Sequence, residues 1–65
     1  MNVRYFPDTD TLLVSFSDRS ISETRDLTED ILVELDKDGR LVSMTIEHAK
    51  QQMNVTEFTY KLAAT

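Results

Sequence analysis

The chain has no cysteine and no tryptophan, and only one glycine, one proline and one histidine in 65 residues. Without cysteine, disulfides and thiolate zinc sites are excluded. The lone histidine, His48, cannot build a histidine-rich metal cage. With Gly39 the only glycine, no glycine-rich phosphate loop exists. No stretch approaches the roughly 20 apolar residues that cross a bilayer. The opening Met1-Asn2-Val3-Arg4-Tyr5-Phe6-Pro7-Asp8 lacks the apolar core of a secretory signal. The expected location is therefore the cytoplasm, with no membrane contact. Basic residues are few: seven Lys and Arg stand against twelve Asp and Glu, for a net charge of -5. The seven (Arg4, Arg19, Arg25, Lys37, Arg40, Lys50 and Lys61) are scattered, so no basic patch awaits a nucleic acid, whose phosphates dominate affinity. A basic protein is the better electrostatic match.

What is present suffices for one folded domain over residues 1–65. The hydrophobic fraction, 40%, is ordinary for a globular chain. A chain of this length buries only about 60% of its unfolded surface, so it is marginal alone. Small scaffolds add disulfides, a metal or a partner. With the first two removed, self-association as a homodimer or binding to another protein is expected, and no cofactor is.

Along most of the chain the hydrophobic period is two, the signature of strands. Asn2 to Phe6 places Val3 and Tyr5 on one side and Asn2, Arg4 and Phe6 on the other. Pro7-Asp8-Thr9-Asp10 supplies turn chemistry. Thr11 to Ser17 then turns Leu12, Val14 and Phe16 inward, which completes a hairpin. After the turn Asp18-Arg19-Ser20, the polar stretch Ile21 to Leu27 suits an edge strand, whose charges discourage foreign strands. Ile31 to Asp36 and Leu41 to Glu47 flank Asp36-Lys37-Asp38-Gly39-Arg40, the clearest turn. Its glycine sits where a left-handed residue is needed. Val42, Met44 and Ile46 share one face of the second strand.

After His48 the pattern changes. Ala49-Lys50-Gln51-Gln52-Met53 contains good helix formers and no β-branched residue. Asn54-Val55-Thr56-Glu57 fits a capping box, and Val55, Phe58 and Leu62 follow on one helical face. Phe58, Tyr60 and Leu62 also alternate as a strand would. The capping pattern and Lys61-Leu62-Ala63-Ala64 favour a helical segment over about residues 49–63. The expected fold is α+β and mostly β: an antiparallel β-meander of four to five strands over about residues 2–48, with a short C-terminal helix packed on one face.

Some of these residues resemble a known family. Tyr5-Phe6-Pro7-Asp8-Thr9-Asp10-Thr11-Leu12 is similar to the Tyr-Asp-x-x-x-Asp-x-Leu opening of the domain of unknown function 2283 family. Asp36-Lys37-Asp38-Gly39-Arg40-Leu41-Val42, then Thr45-Ile46-Glu47 and Ala49, continue the resemblance, which covers about residues 3 to 50. The chain departs from the pattern at Phe6-Pro7, where the family has an aspartate, and at Ser43, where members often carry glycine. Members are small, mainly bacterial proteins without an assigned activity. Some look like the small partner of toxin–antitoxin-type gene pairs, which implies an antitoxin-like partner of a small basic protein.

Three groups of residues invite chemistry. Asp8 with Asp10, and Asp36 with Asp38, are carboxylate pairs of the kind that hold calcium or magnesium. A calcium loop, however, needs about five or six oxygen ligands with a late bidentate glutamate, and Asp36-Lys37-Asp38-Gly39 runs into Arg40-Leu41-Val42. Turn formation is the better reading. Glu34 and Glu47, as cross-strand neighbours, would suggest acid–base catalysis, but 65 residues scarcely enclose the pocket it needs. His48 lies where a strand meets a helix, and none of Ser15, Ser17, Ser20, Ser22 and Ser43 sits in a strained glycine-flanked turn. No catalytic residue and no metal ligand is assigned, and a small metal-dependent hydrolase is the least favoured reading. The candidate interface is Met53, Phe58, Tyr60 and Leu62, because aromatics and methionine are enriched at interface centres. The expected function is a non-catalytic acidic protein-binding module, with a homo-oligomeric structural or regulatory protein as the alternative.

Overall fold

The computed structural model describes residues 1–53. Five strands, β1 (Asn2–Phe6), β2 (Thr11–Ser15), β3 (Glu23–Asp26), β4 (Ile31–Leu35) and β5 (Leu41–Glu47), form one antiparallel sheet, followed by a helical turn, α1 (Ala49–Gln52). This is the mostly β, α+β architecture the hydrophobic period implies. The sheet order is β1-β2-β5-β4-β3. The meander holds within each half, in β1-β2 and in β3-β4-β5, and the halves join where β5 lies between β2 and β4. Burial accounts for that order. β2 and β5 carry the most continuous apolar faces and take the interior, while β3 is exposed at every residue and takes the edge.

The ladders place Val3, Val14, Met44 and Val33 in one row, and Tyr5, Leu12, Ile46 and Ile31 in the next. Side chains alternate across a sheet, so both rows share one face. Leu12, Val14, Ile46 and Ala49 form its buried cluster, with Val3, Tyr5, Ile31 and Met44 packed against it. Ala49 is fully buried, which seats α1 on that face. Further along, Glu34 faces Ser43 but Leu35 faces Leu41, so Val42 has no residue opposite it on β4. Such a bulge bends the strand. Val42 is the most buried core valine, and its carbonyl accepts from the Phe16 N–H at 2.8 Å. β2 thus ends at Ser15 rather than Ser17, and Phe16, expected inside, is 39% exposed.

The expected turn at Asp36–Arg40 forms as read. The Gly39 N–H donates to the Asp36 carbonyl at 3.0 Å, and Gly39 takes φ +80°. In the β1–β2 turn the left-handed residue is Asp10, at φ 55°. The link from β2 to β3 runs from Phe16 to Ser22, past the ends of β5 and β4. The rest of the expected helical segment, residues 54–63, lies outside the described residues.

Candidate functional site

Polar groups gather at the two ends of the sheet. At the first end the β1–β2 turn, the β3–β4 turn and the β5–α1 junction meet. The Tyr5 hydroxyl donates to Asp10 Oδ1 at 2.6 Å. That bond to a carboxylate, followed by desolvation, pushes the Tyr5 phenol up to about 12. The same carboxylate accepts the Lys50 N–H at 3.2 Å, and the Asp10 carbonyl accepts the Ala49 N–H at 3.1 Å. Residues at a helix start have N–H groups without helical partners. His48, at the N-cap position, offers no side-chain cap. Asp10, 40 residues away in sequence, serves instead. His48 itself is left-handed, at φ 53° and ψ 42°, and its Nδ1–H donates to Asp30 Oδ1 at 2.8 Å. The Asp30 hydrogen bond and charge raise the His48 pKa above its ordinary 6.5, with smaller contributions from Glu47 and Asp10.

At the second end, Asp36 is 6% exposed and anchors the crossing link. Its Oδ1 accepts the N–H groups of Asp38 and Arg40, both at 2.9 Å. Its Oδ2 pairs with Arg19 Nε at 2.7 Å. Arg19 also donates to the Leu41 carbonyl at 3.3 Å. The Arg40 N–H above all, then those from Asp38 and Arg19, hold the Asp36 carboxyl below its ordinary 3.8 against the opposing effect of burial. Beside this anchor lies an open cavity of about 430 Å³, lined by Arg19, Ser20, Ile21, Ser22, Asp36, Lys37 and Asp38.

The residues singled out from sequence divide as follows. Asp10 and Asp36 are turn residues, as read, and each also has a long-range role that local spacing does not show. Glu34 and Glu47 are not cross-strand neighbours. Glu34 stands opposite Ser43, whose hydroxyl donates to it at 2.6 Å, and Glu47 pairs with Thr11 of β2. The register displaces them because Ile31, four residues after Leu27, aligns with Ile46. Among the described residues no three of His, Asp and Glu lie close enough to hold a metal. Met53 is 38% exposed; Phe58, Tyr60 and Leu62 lie outside the described residues. Sequence reasoning missed the Arg19–Asp36 and His48–Asp30 pairs. Their only sequence signal is unlike charge at turns, which many residues share.

Fold and site together define a small α+β domain, a single antiparallel sheet whose ends are tied by aspartates. The chain belongs to the family described as "Protein of unknown function (DUF2283)", whose model matches residues 2–50. No curated protein and no solved structure matched it. Among the described residues, no helix is long and apolar enough to cross a membrane.

Proposed function

We propose that this chain is a non-catalytic protein-binding module of the cytoplasm that acts as a homodimer and uses its acidic surface to recognise a basic protein, as an antitoxin-like partner would. The observation that carries the reading is the use made of its polar groups. Asp10 accepts from Tyr5 and Lys50, Asp36 from Asp38, Arg40 and Arg19, and Asp30 from His48. Each of these side chains holds its own fold together. A catalytic acid or base works best with a pKa near the working pH. Tyr5 is driven upward and Asp36 downward, both away from neutrality, while His48, raised above 6.5, is tied to Asp30. The net charge of -5 favours a basic partner and speeds its approach. The family resemblance points the same way.

The test is affinity capture of the tagged full chain from its own cells, followed by titration of the purified partner in a salt series. The expected result is one basic protein at near-equal amount, with affinity falling as salt rises. Recovery of the chain alone would overturn the second-protein part of the reading. A homo-oligomer without a second species would then stand, favoured by the edge at β3, whose far side pairs with no strand among the described residues.

A further inference from the structure

We propose that two copies of this chain pair through the outer edge of β3, antiparallel about a two-fold axis at Thr24, and so join two five-stranded sheets into one. The inference rests on the self-association half of the reading above and names its surface and register.

β3 ends the sheet, and among the described residues no strand pairs with its far side. It is exposed throughout and holds no proline, glycine or lysine. Ile21, at 50% exposure, and Leu27, at 60%, bracket it. An edge of this kind is a template for another strand.

Backbone direction limits the register. The Leu27 N–H donates to the Ile31 carbonyl at 2.8 Å, in the ladder that sets Arg25 opposite Val33. Hydrogen-bonded and non-bonded positions alternate in an antiparallel pair. Odd-numbered residues of β3 therefore direct their backbone groups to β4, and Thr24 and Asp26 direct theirs to the open edge. A second β3 can pair only with even-numbered residues opposite even-numbered ones. Registers centred on Glu23, Thr24 or Arg25 satisfy this.

Charge separates them. Centring on Glu23 sets glutamate against glutamate, and centring on Arg25 sets arginine against arginine. Centring on Thr24 sets Glu23 opposite Arg25 of the second copy, and Arg25 opposite its Glu23. It also sets Thr24 on Thr24, Ser22 on Asp26 and Ile21 on Leu27. Threonine pairs and unlike charges are favourable cross-strand neighbours, whereas like charges oppose pairing. Within each copy Glu23 and Arg25 already form an ion pair along the strand. Across the axis the charges alternate in a closed ring. The Ser22 amide already donates to the Leu35 carbonyl at 2.8 Å, which limits the new ladder there. Edge charges that repel a random strand thus accept this one in a single register. β1, the other edge, has one charge, Arg4, and nothing on its strand to answer it.

Sedimentation velocity of the full chain at micromolar concentrations tests the proposal. The wild type is expected to be dimeric. Thr24→Pro removes an outward N–H that β4 does not use, and is expected to be a monomer with an unchanged circular dichroism spectrum. Arg25→Glu and Glu23→Arg should each raise the dimer Kd by about tenfold or more. Mixing those two variants should restore the dimer, because arginine then faces glutamate at both positions. Should Thr24→Pro fail to fold, the mixing experiment decides alone. A dimer that survives Thr24→Pro, with charge variants that neither weaken it nor rescue each other, would overturn the edge pairing and leave self-association standing. A monomeric wild type would overturn both. So would a monomer destabilised by Thr24→Pro, which would place a segment of the same chain on this edge.

Discussion

At one end of the sheet a single buried carboxylate, Asp36, gathers the N–H groups of Asp38 and Arg40 together with the Arg19 guanidinium. At the other end the same task is divided. Asp10 holds Tyr5 and the start of α1, and Asp30 separately holds His48. The difference follows from what each end must restrain. The β2–β3 link crosses the ends of two strands with most of its residues exposed, and Arg19 reaches from it to the buried Asp36 carboxylate. Buried polar groups without partners are costly. The α1 end sits among turns that water reaches, with the His48 side chain 59% exposed. Where solvent can substitute, the restraint can be shared between weaker contacts. Where the carboxylate itself is buried, as Asp36 is, several donors must come to it.

Substitutions at the two ends should break in that order. Asp36→Ala leaves two turn N–H groups and Arg19 without their acceptor, and should lower Tm by about 10 °C in a thermal melt. It should also remove part of the acid sensitivity. A carboxyl held below 3.8 in the fold contributes stability above that value and loses it as pH falls through the folded value. An Asp10→Ala loss as large as that of Asp36→Ala would remove the distinction between the ends.

Next in size is Asp10→Asn, expected to lower Tm by about 5 °C as a weakened cap. Its sharper readout is spectroscopic: the Tyr5 phenol should ionise nearer its ordinary 10.0 than about 12 in an ultraviolet pH titration. Arg19→Met keeps the turn bonds of Asp36 and removes only the tie to the crossing link. A fall of roughly 3 °C, with amide exchange accelerating first over residues 16–22, would locate the role of Arg19.

The smallest effect belongs to His48. Its pKa is raised in the fold, so its contribution is complete below 6.5 and is lost as pH rises through the folded value. Between pH 6 and 9 the wild type should lose about 1–2 °C relative to His48→Gln, whose profile should be flat over that window. Parallel profiles would show that the His48–Asp30 pair contributes nothing.

Much of this fold is legible along the chain. The faces of β1 and β5 follow from alternation: Val3 and Tyr5 pack inward, and Val42 and Ile46 are buried. Gly39 marks its turn because few other residues tolerate that backbone. β3 reads as an edge because it has no apolar face to bury. The end ties are not legible, since Arg19 meets Asp36 across 17 residues and Lys50 meets Asp10 across 40. Turn aspartates look alike until the turns are placed side by side. The departure at Ser43 reads as a neutral exchange for glycine, yet its hydroxyl is buried against Glu34.

The sequence by itself determined where the strands and turns fall and, Phe16 apart, the inward faces of β1, β2, β4 and β5, because alternation and turn preferences act over a few neighbouring residues. It determined as well the lack of any disulfide and the acidic balance, which are matters of composition. Only the tertiary structure decided that β5 lies between β2 and β4, that Val42 stands unpaired at a bulge opposite β4, and that Asp10 caps a helix begun 39 residues later. Those outcomes depend on which apolar faces and orphaned backbone groups come together once the strands pair, and distant groups carry no mark of that meeting in the chain itself.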